Sequence, residues 1–193
     1  MIGSLPLDAP ELEGALSPAL AAIEARLLEV VSNADETINP PTSHLAEAGG
    51  KRLRPILTLL PAQLGDPALA AGEQVRDAGV AVELTHIATL YHDDVMDDAP
   101  LRRGAPTANA QFGNPAAVLV GDFLYSRSFQ MMVEVEQISI LKTLADATNV
   151  IAEGEVLQLL NCNDPDVDEA AYLQVIRFKT AKLFEASARI GAV

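Results

Sequence analysis

Apolar residues recur at helical spacing along most of the chain, and turn-forming residues separate the apolar segments. In the first segment, Leu20, Ile23 and Leu27 follow this spacing after Ser17-Pro18, a pair typical of a helix cap and first turn. We find no strand-like alternation of useful length. The predicted helices cover residues 17–31, 42–48, 55–64, 70–98, 107–112, 114–135, 138–160 and 168–179. The pattern therefore predicts an all-α fold, with one domain over residues 1–193 and a loosely held start over residues 1–16.

The longest predicted helix, over residues 70–98, is apolar through its middle and ends in aspartates. From Ala78 to Thr85 its only ionisable residue is Glu83, so we expect this helix to be central and largely buried. The residues before it, Gly65-Asp66-Pro67, are typical of a turn.

Four carboxylates, those of Asp93, Asp94, Asp97 and Asp98, stand at the end of this helix. Asp93 and Asp97 are four residues apart and so share one face, with Asp94 beside them. Like charges at this spacing repel each other, and the C-terminal end of a helix disfavours anions, so the cluster needs a cation. Aspartate oxygens at this density suit Mg²⁺, which often bridges carboxylates to substrate phosphates. The alternative is a solvated acidic helix end before a loop.

Two arginines, Arg102 and Arg103, follow the aspartates closely and precede Gly104. Guanidinium groups bind phosphate oxygens through paired hydrogen bonds. A carboxylate cluster beside such a pair therefore favours a magnesium–diphosphate site over a plain acidic helix end.

Four motifs stand in order along the chain: Gly49-Gly50-Lys51-Arg52-Leu53-Arg54-Pro55, then Asp93-Asp94-Val95-Met96-Asp97 with Arg102-Arg103-Gly104, then Ala152-Glu153-Gly154-Glu155-Val156-Leu157-Gln158, and finally Lys179-Thr180-Ala181. In sequence and order they resemble the motifs of the trans-polyprenyl diphosphate synthases. The resemblance covers most of the chain, from about Ala46 to Val193. Beyond Gly113 the chain is most similar to octaprenyl-forming members, and before it to menaquinone-side-chain members.

The resemblance implies an isoprenoid-synthase-like helical bundle that condenses two substrates head to tail. An allylic diphosphate ionises, isopentenyl diphosphate attacks the carbocation, and a proton leaves. Mg²⁺ would be held on the allylic diphosphate by Asp93, Asp94 and Asp97. The other residues implied to contact the allylic substrate are Arg102, Lys179, Gln158 and Thr180, and those implied to bind isopentenyl diphosphate without metal are Lys51, Arg54, His86 and Arg103.

Several of these residues also have an ordinary structural interpretation. Without the resemblance, the Lys51–Arg54 loop is a basic turn after helix-capping glycines, and His86 is a core histidine on an apolar helix. Gln158 and Thr180 would be polar residues on a helix surface.

Composition narrows the classes of function. The net charge of -14 argues against nucleic-acid binding, which needs a basic footprint. The chain has 13 Lys and Arg residues, and five of them fall in the two loops around Lys51 and Arg103, where they form local cationic pockets. The single cysteine, Cys162, fits a reducing cytoplasm and receives no role. Because no apolar run reaches membrane-span length, we expect no stable membrane insertion.

Competing functions differ in what they require of these motifs. A class I terpene cyclase would use a similar aspartate motif but binds no second diphosphate, so the Lys51–Arg54 loop argues against it. A non-catalytic subunit of a heteromeric synthase is expected to have a degraded aspartate motif. The resemblance also implies a second aspartate-rich motif after Val193, so we expect the chain to be the N-terminal portion of a synthase, and an inactive fragment stays an alternative. By analogy, the assembly would be a homodimer packed through helices.

Product length should depend on the size of the side chains one turn before Asp93. Ala88 and Thr89 occupy that turn and are small, so a growing product could pass them. Phe129, on the next long predicted helix, is the first candidate for the floor of the channel. We therefore predict a long-chain product, with octaprenyl as the favoured length. Alternatively, both residues are small only because neighbouring helices approach closely.

Overall fold

The computed structural model describes residues 8–32 and 35–193. The elements in chain order are α1 (Pro10–Val31), α2 (Asn39–Glu47), α3 (Leu53–Ala62), α4 (Pro67–Ala70), α5 (Glu73–Met96), β1 (Leu101–Arg102), β2 (Ala105–Pro106), α6 (Ala108–Phe112), α7 (Asn114–Glu134), α8 (Ile138–Asn161), α9 (Glu169–Ile176) and α10 (Lys182–Gly191), with a π-helical segment (Arg177–Ala181) between α9 and α10. The predicted all-α fold is confirmed. Among the described residues, no helix has the length and apolar character needed to cross a membrane.

Helix α5 lies at the centre of the molecule. Every residue from Ala78 to Thr85 is buried, which confirms the prediction from its apolar interior. The helix packs most extensively against α7 and also contacts α1, α3 and α10. Near its end, the Tyr91 hydroxyl donates to the Pro41 carbonyl at 2.6 Å and accepts from the Leu45 amide at 3.3 Å, which fastens α2 to α5.

The first helix begins earlier than the sequence pattern predicts. It starts at Pro10, and the Ser17 hydroxyl donates to the Glu13 carbonyl inside the helix instead of capping it. Pro18 lies within the helix, although an interior proline costs roughly 3 kcal/mol. Leu16 is completely buried on the same helix, so core packing outweighs this cost. The predicted loose start is wrong for residues 10–16, and its first seven residues lie outside the described part of the chain.

A small hairpin occupies the loop predicted for residues 99–106. Leu101 pairs with Pro106 and Arg102 with Ala105 in an antiparallel ladder. The two turn residues, Arg103 and Gly104, both have positive φ, as two-residue hairpin turns require. Its strands have two residues each, too few to show an alternating pattern in the sequence.

The last predicted helix is longer than expected and changes its winding. The Asp168 carboxylate caps α9 by accepting from the Ala171 amide at 2.8 Å. Beyond α9, the π-helical segment carries Lys179 and Thr180 and leads directly into α10. π-Helical turns are rare and occur frequently at functional sites, so the location of Lys179 in this segment agrees with a functional role for it.

Candidate active site

A cleft of about 530 Å³ opens between the α2–α3 loop, α5 and the hairpin. Arg102 lines it, together with all four residues predicted to bind isopentenyl diphosphate, which are Lys51, Arg54, His86 and Arg103. These residues come from three separate parts of the sequence, and the fold brings them to one place.

The hairpin is tied to the α2–α3 loop by a short hydrogen bond. Arg103 Nη1 donates to the Gly49 carbonyl at 2.6 Å. The loop itself turns through positive φ at Gly49 and Arg52. Lys51, between them, is exposed at the mouth of the cleft. The bond therefore holds two of the cationic segments against each other.

Burial and the nearby arginines both disfavour the protonated form of His86. Burial, followed by the charges of the surrounding arginines with Arg54 first, lowers the pKa of His86 to about 3. His86 is therefore neutral at physiological pH. Burial also lowers the pKa of Arg54, whose guanidinium carbon lies 4.5 Å from the centre of the Phe184 ring.

A second group of charges surrounds Asp93. Lys179 Nζ lies 2.7 Å from Glu155 Oε2 and 3.8 Å from Asp93 Oδ1. Burial raises the pKa of Asp93 to about 6, and the negative charges of Glu155 and Asp97 add to the rise, while Lys179 opposes it. Asp97, at the end of α5, is exposed. An additional cation beside Asp93 and Asp97 would relieve this repulsion.

The neighbouring carboxylate of Asp94 is already paired. Arg102 Nε lies 3.0 Å from each Asp94 oxygen, and Arg102 Nη2 lies 2.7 Å from Oδ1. The Asp94 side chain is only 2% exposed. The family resemblance implies that Asp94 binds metal and Arg102 the allylic diphosphate, whereas in the structure the two side chains pair with each other.

The remaining carboxylates, those of Asp93 and Asp97, fit a magnesium ion whose other ligands would be substrate phosphates and water. In the part of the chain that the structure describes, no three side chains of His, Cys, Asp or Glu converge as a ready-made metal site. Asp93 and Asp97 nevertheless present oxygen ligands four residues apart. Mg²⁺ commonly binds one or two carboxylates, substrate phosphates and several waters, so this pair is sufficient for it.

A further cavity of about 380 Å³ lies between α5, α7 and α8, beside Asp93. Thr89 and Tyr125 line it. The predicted passage of a growing product past Thr89 requires that this side chain face such a cavity. Ala88 is fully buried in the core and is not among the lining residues. The Phe129 ring lies 5.2 Å from the Tyr125 ring, one helical turn further along α7, and Phe129 is not among the lining residues.

The other predicted allylic residues lie in a separate place. Gln158, Lys179 and Thr180 line a cavity of about 510 Å³ between the end of α8 and α9. Only Lys179 also reaches the Asp93 group. The structure therefore brings Lys179 to the aspartates and leaves Gln158 and Thr180 on the neighbouring surface.

The amino-acid sequence matches one known family along most of the chain. The sequence model described as Polyprenyl synthetase matches residues 35–193. This chain belongs to the polyprenyl synthetase family. It is 45% identical over 174 residues to octaprenyl diphosphate synthase of Escherichia coli (strain K12), covering 90% of this chain and 53% of that protein.

Solved structures of other polyprenyl synthetases share the fold. A decaprenyl diphosphate synthase from Rhodobacter capsulatus matches with a TM-score of 0.86 and 46% identity, over 94% of this chain and 55% of that one. A polyprenyl synthase from Caulobacter crescentus CB15, complexed with calcium and isoprenyl diphosphate, matches with a TM-score of 0.87 and 39% identity, over 97% and 57%. The chain thus spans about half the length of these relatives.

Two features of this polyprenyl synthetase chain escaped the sequence analysis. Glu155 belongs to the motif from Ala152 to Gln158 but has no predicted role, although it is the closest partner of Lys179. Gly154 precedes it, and a Cβ there would lie 2.7 Å from the Lys179 backbone nitrogen. The glycine thus permits the contact between α8 and the π-helical segment. Its place inside a predicted helix, where glycine is unfavourable, was the signal available in the sequence.

Proposed function

We propose that this chain carries the substrate-binding site of a prenyltransferase that joins isopentenyl diphosphate to an allylic diphosphate. The observation that carries the proposal is the arrangement of two diphosphate-type sites along α5. His86 lies in the cationic cleft, and Asp93 lies two turns later on the same helix beside Lys179. The names of the relatives, and the isoprenyl diphosphate bound to the Caulobacter protein, support the same chemistry.

The reaction breaks the allylic carbon–oxygen bond, and pyrophosphate leaves with the electron pair. The double bond of isopentenyl diphosphate attacks the cation, a carbon–carbon bond forms, and one proton is lost. Mg²⁺, held by Asp93 and Asp97, would supply positive charge to the leaving diphosphate. Lys179 adds a fixed cation on that side, held in place by Glu155.

Isopentenyl diphosphate would bind in the cleft without a metal ion. Lys51, Arg54 and Arg103 line the cleft and are suited to its phosphate oxygens. The neutral imidazole of His86 can donate one hydrogen bond without adding charge. Arg102 lines the same cleft while it holds Asp94, so it lies at the boundary between the two substrates.

The product would be a long all-trans chain, with octaprenyl as the favoured length, and its first units would lie in the cavity beside Asp93. Thr89 is a small lining residue there, and the first aromatic ring along the path is that of Tyr125. Phe129 stays a candidate for the floor because its ring packs against that of Tyr125. A chain growing from Asp93 would therefore have to pass Tyr125 before it reaches Phe129.

We also propose a cytoplasmic homodimer in which the chain forms one domain. Several large apolar side chains on the surface of α7 support an interface there, namely Val118, Leu119, Phe123 and Val133. Exposed apolar patches of this kind often mark protein–protein contacts. Sedimentation of the chain and of Leu119→Glu would test the dimer.

An alternative is that the chain binds both substrates without turning them over. Large apolar residues are exposed on the α8–α9 surface, which is formed by Val156, Leu159, Leu160, Tyr172, Leu173 and Ile176. A surface of this type favours a further protein layer, and the chain spans about half the length of its relatives. The difference between the two functions is therefore catalytic turnover, not binding.

The decisive experiment measures binding and turnover on the same preparation. The chain is titrated calorimetrically with isopentenyl diphosphate without metal and with geranyl diphosphate plus Mg²⁺, and then assayed for radiolabelled polyprenyl product. Product formation supports the prenyltransferase. Binding of both ligands without product supports the alternative, and binding of neither contradicts both.

A further inference from the structure

We propose that Arg52 and Glu83 form a buried positioning pair that sets the geometry of the isopentenyl diphosphate cleft. This inference rests on the proposed function, because it concerns how the cleft is built. Arg52 stands between Lys51 and Arg54, which line the cleft as proposed ligands. Arg52 is one of the basic residues of this loop, and the sequence alone indicates no role for it.

Arg52 is the most deeply buried cation of its loop, and it lines the cleft together with Glu83. Its side chain is 6% exposed, and Nη1 lies 3.1 Å from Glu83 Oε1 on α5. Nε lies 3.3 Å from Glu24 Oε1 on α1, and Nη2 donates to the Ala46 carbonyl at 3.0 Å. One guanidinium therefore connects three helices beneath the loop.

The backbone at Arg52 explains why this anchor matters for its neighbours. Arg52 has a φ of 49°, in the left-handed region that non-glycine residues rarely adopt. The reversal allows Lys51 to remain exposed at the cleft while Arg54 begins the first turn of α3 over Phe184. Buried contacts at Arg52 are what can hold such a conformation. Loss of the anchor should therefore move both flanking cations.

The pair also couples the loop to the opposite wall of the cleft. Glu83 is 5% exposed and lies on α5, three residues before His86 and on the same helix face. Gly50 fits between the two arginines, since a Cβ there would lie 3.3 Å from Arg103 Nη1 and 3.4 Å from Arg52 Nη1. The loop is thus held between the hairpin on one side and the buried pair on the other.

Stability alone is a weak reason for a pair buried this deeply. Desolvation of two charges offsets most of their attraction, and well-packed apolar replacements are often neutral or stabilising. We therefore expect the double variant Arg52→Met with Glu83→Leu to fold. It removes the anchor for the left-handed loop while leaving no unpaired charge on either residue.

The test compares the two substrates on the full chain. Isopentenyl diphosphate is titrated without metal, and geranyl diphosphate with Mg²⁺, into the parent, the double variant and Arg52→Lys. We expect the double variant to bind isopentenyl diphosphate at least tenfold more weakly and geranyl diphosphate within twofold of the parent. Arg52→Lys should recover part of the loss, because it restores the charge without the planar fork. Arg26→Met, which removes a 3.6 Å contact between α1 and Asp77 of α5 outside the cleft, is the matched control.

Each other result overturns the inference. Unchanged isopentenyl diphosphate binding in the double variant shows that the pair does not position the cleft, while the proposed function stands. Equal losses for both ligands show a general structural role. If the parent chain binds no isopentenyl diphosphate, and Arg54→Ala gives the same result as the parent, then the proposed function and this inference both fail.

Discussion

Arg102 holds Asp94 through a short charged contact, with Nη2 2.7 Å from Oδ1. Arg102 lines the cationic cleft, whereas Asp94 directly follows Asp93 on α5. The pair therefore joins the hairpin to the helix that carries the aspartates. It also leaves Asp93 and Asp97 as the carboxylates of this motif that can reach a metal.

Removal of Arg102 should destabilise the protein, because Asp94 would be left buried without its partner. We expect Arg102→Ala to lower the free energy of unfolding by about 3 kcal/mol, the lower end of the range for a broken buried ion pair. Urea denaturation at neutral pH measures it. Arg103→Ala, at an exposed residue of the same hairpin, serves as the control and should change stability by less than about 1 kcal/mol. Equal stability of the two variants would show that Asp94 does not depend on this pairing.

Metal-dependent turnover should depend on Asp93 and Asp97 alike. We expect Asp93→Ala and Asp97→Ala to abolish Mg²⁺-dependent turnover in a complete enzyme, since each removes one of two available carboxylates. Asp98→Asn is the matched control, because Asp98 is exposed at a positive φ that asparagine tolerates. Radiolabelled product formation at several Mg²⁺ concentrations decides it. Turnover within a few-fold of the parent for both alanine variants would remove the metal assignment.

Product length should respond to Thr89 but not to Ala88. Thr89→Phe would place a ring in the cavity beside Asp93 and should shorten the product sharply. Ala88→Phe would instead overpack a fully buried position and should cost roughly 1–3 kcal/mol of stability. Chromatography of dephosphorylated products from a complete enzyme, together with thermal unfolding, separates the two effects. A product distribution unchanged by Thr89→Phe would show that the growing chain does not pass this cavity.

The sequence was sufficient for the order of the helices, for the buried centre of α5 and for the residues of the cationic cleft. Helical periodicity reports burial directly. Lys51, Arg54 and Arg103 stand in motifs that resemble those of a known family, and His86 is implied by its position in the same resemblance. Those signals are local in the chain. They can be recognised without knowledge of the packing because each helix carries its own apolar face.

Pairings between distant segments could not be read from the same pattern. Nothing in the sequence says that Arg102 closes on Asp94, or that Ala88 turns into the core while Thr89 faces a cavity. A shift of one residue along a helix rotates the side chain by about 100°, so the two small residues separate only once α5 is packed. The close approach of the π-helical segment at Lys179 to Gly154 of α8 is likewise a contact between distant segments.

Acid should destabilise the protein partly through His86. The folded-state pKa of about 3 lies below the ordinary value of 6.5, so between these values the unfolded chain binds a proton that the folded chain excludes. This contribution to stability is complete above about pH 6.5 and is lost as the pH falls. We expect His86→Gln to reduce the loss of unfolding free energy between pH 6.5 and 4.5 by up to about 1.4 kcal/mol per pH unit. Urea denaturation at each pH measures it, and above pH 7.5 the curves of parent and variant should run parallel. Identical slopes below pH 6.5 would show that His86 ionises freely in the folded state.

The position of Lys179 should depend on the absence of a side chain at Gly154. An added Cβ would lie 2.7 Å from the Lys179 backbone nitrogen and 2.9 Å from Phe178 Cβ, so Gly154→Ala must push the π-helical segment away from α8. Because Lys179 Nζ lies between Glu155 and Asp93, we expect weaker binding of geranyl diphosphate with Mg²⁺ and unchanged binding of isopentenyl diphosphate without metal.

Calorimetric titration with each ligand tests this separation, and Gly14→Ala is the matched control. Gly14 is an exposed residue within α1 where an added Cβ meets nothing within 4 Å. That control should keep both affinities and gain up to about 1 kcal/mol of stability, because alanine favours a helix interior over glycine. If Gly154→Ala binds both diphosphates like the parent, then the contact between α8 and the π-helical segment does not determine where Lys179 lies. If both affinities fall together, the glycine supports the fold as a whole and not the allylic side of the site.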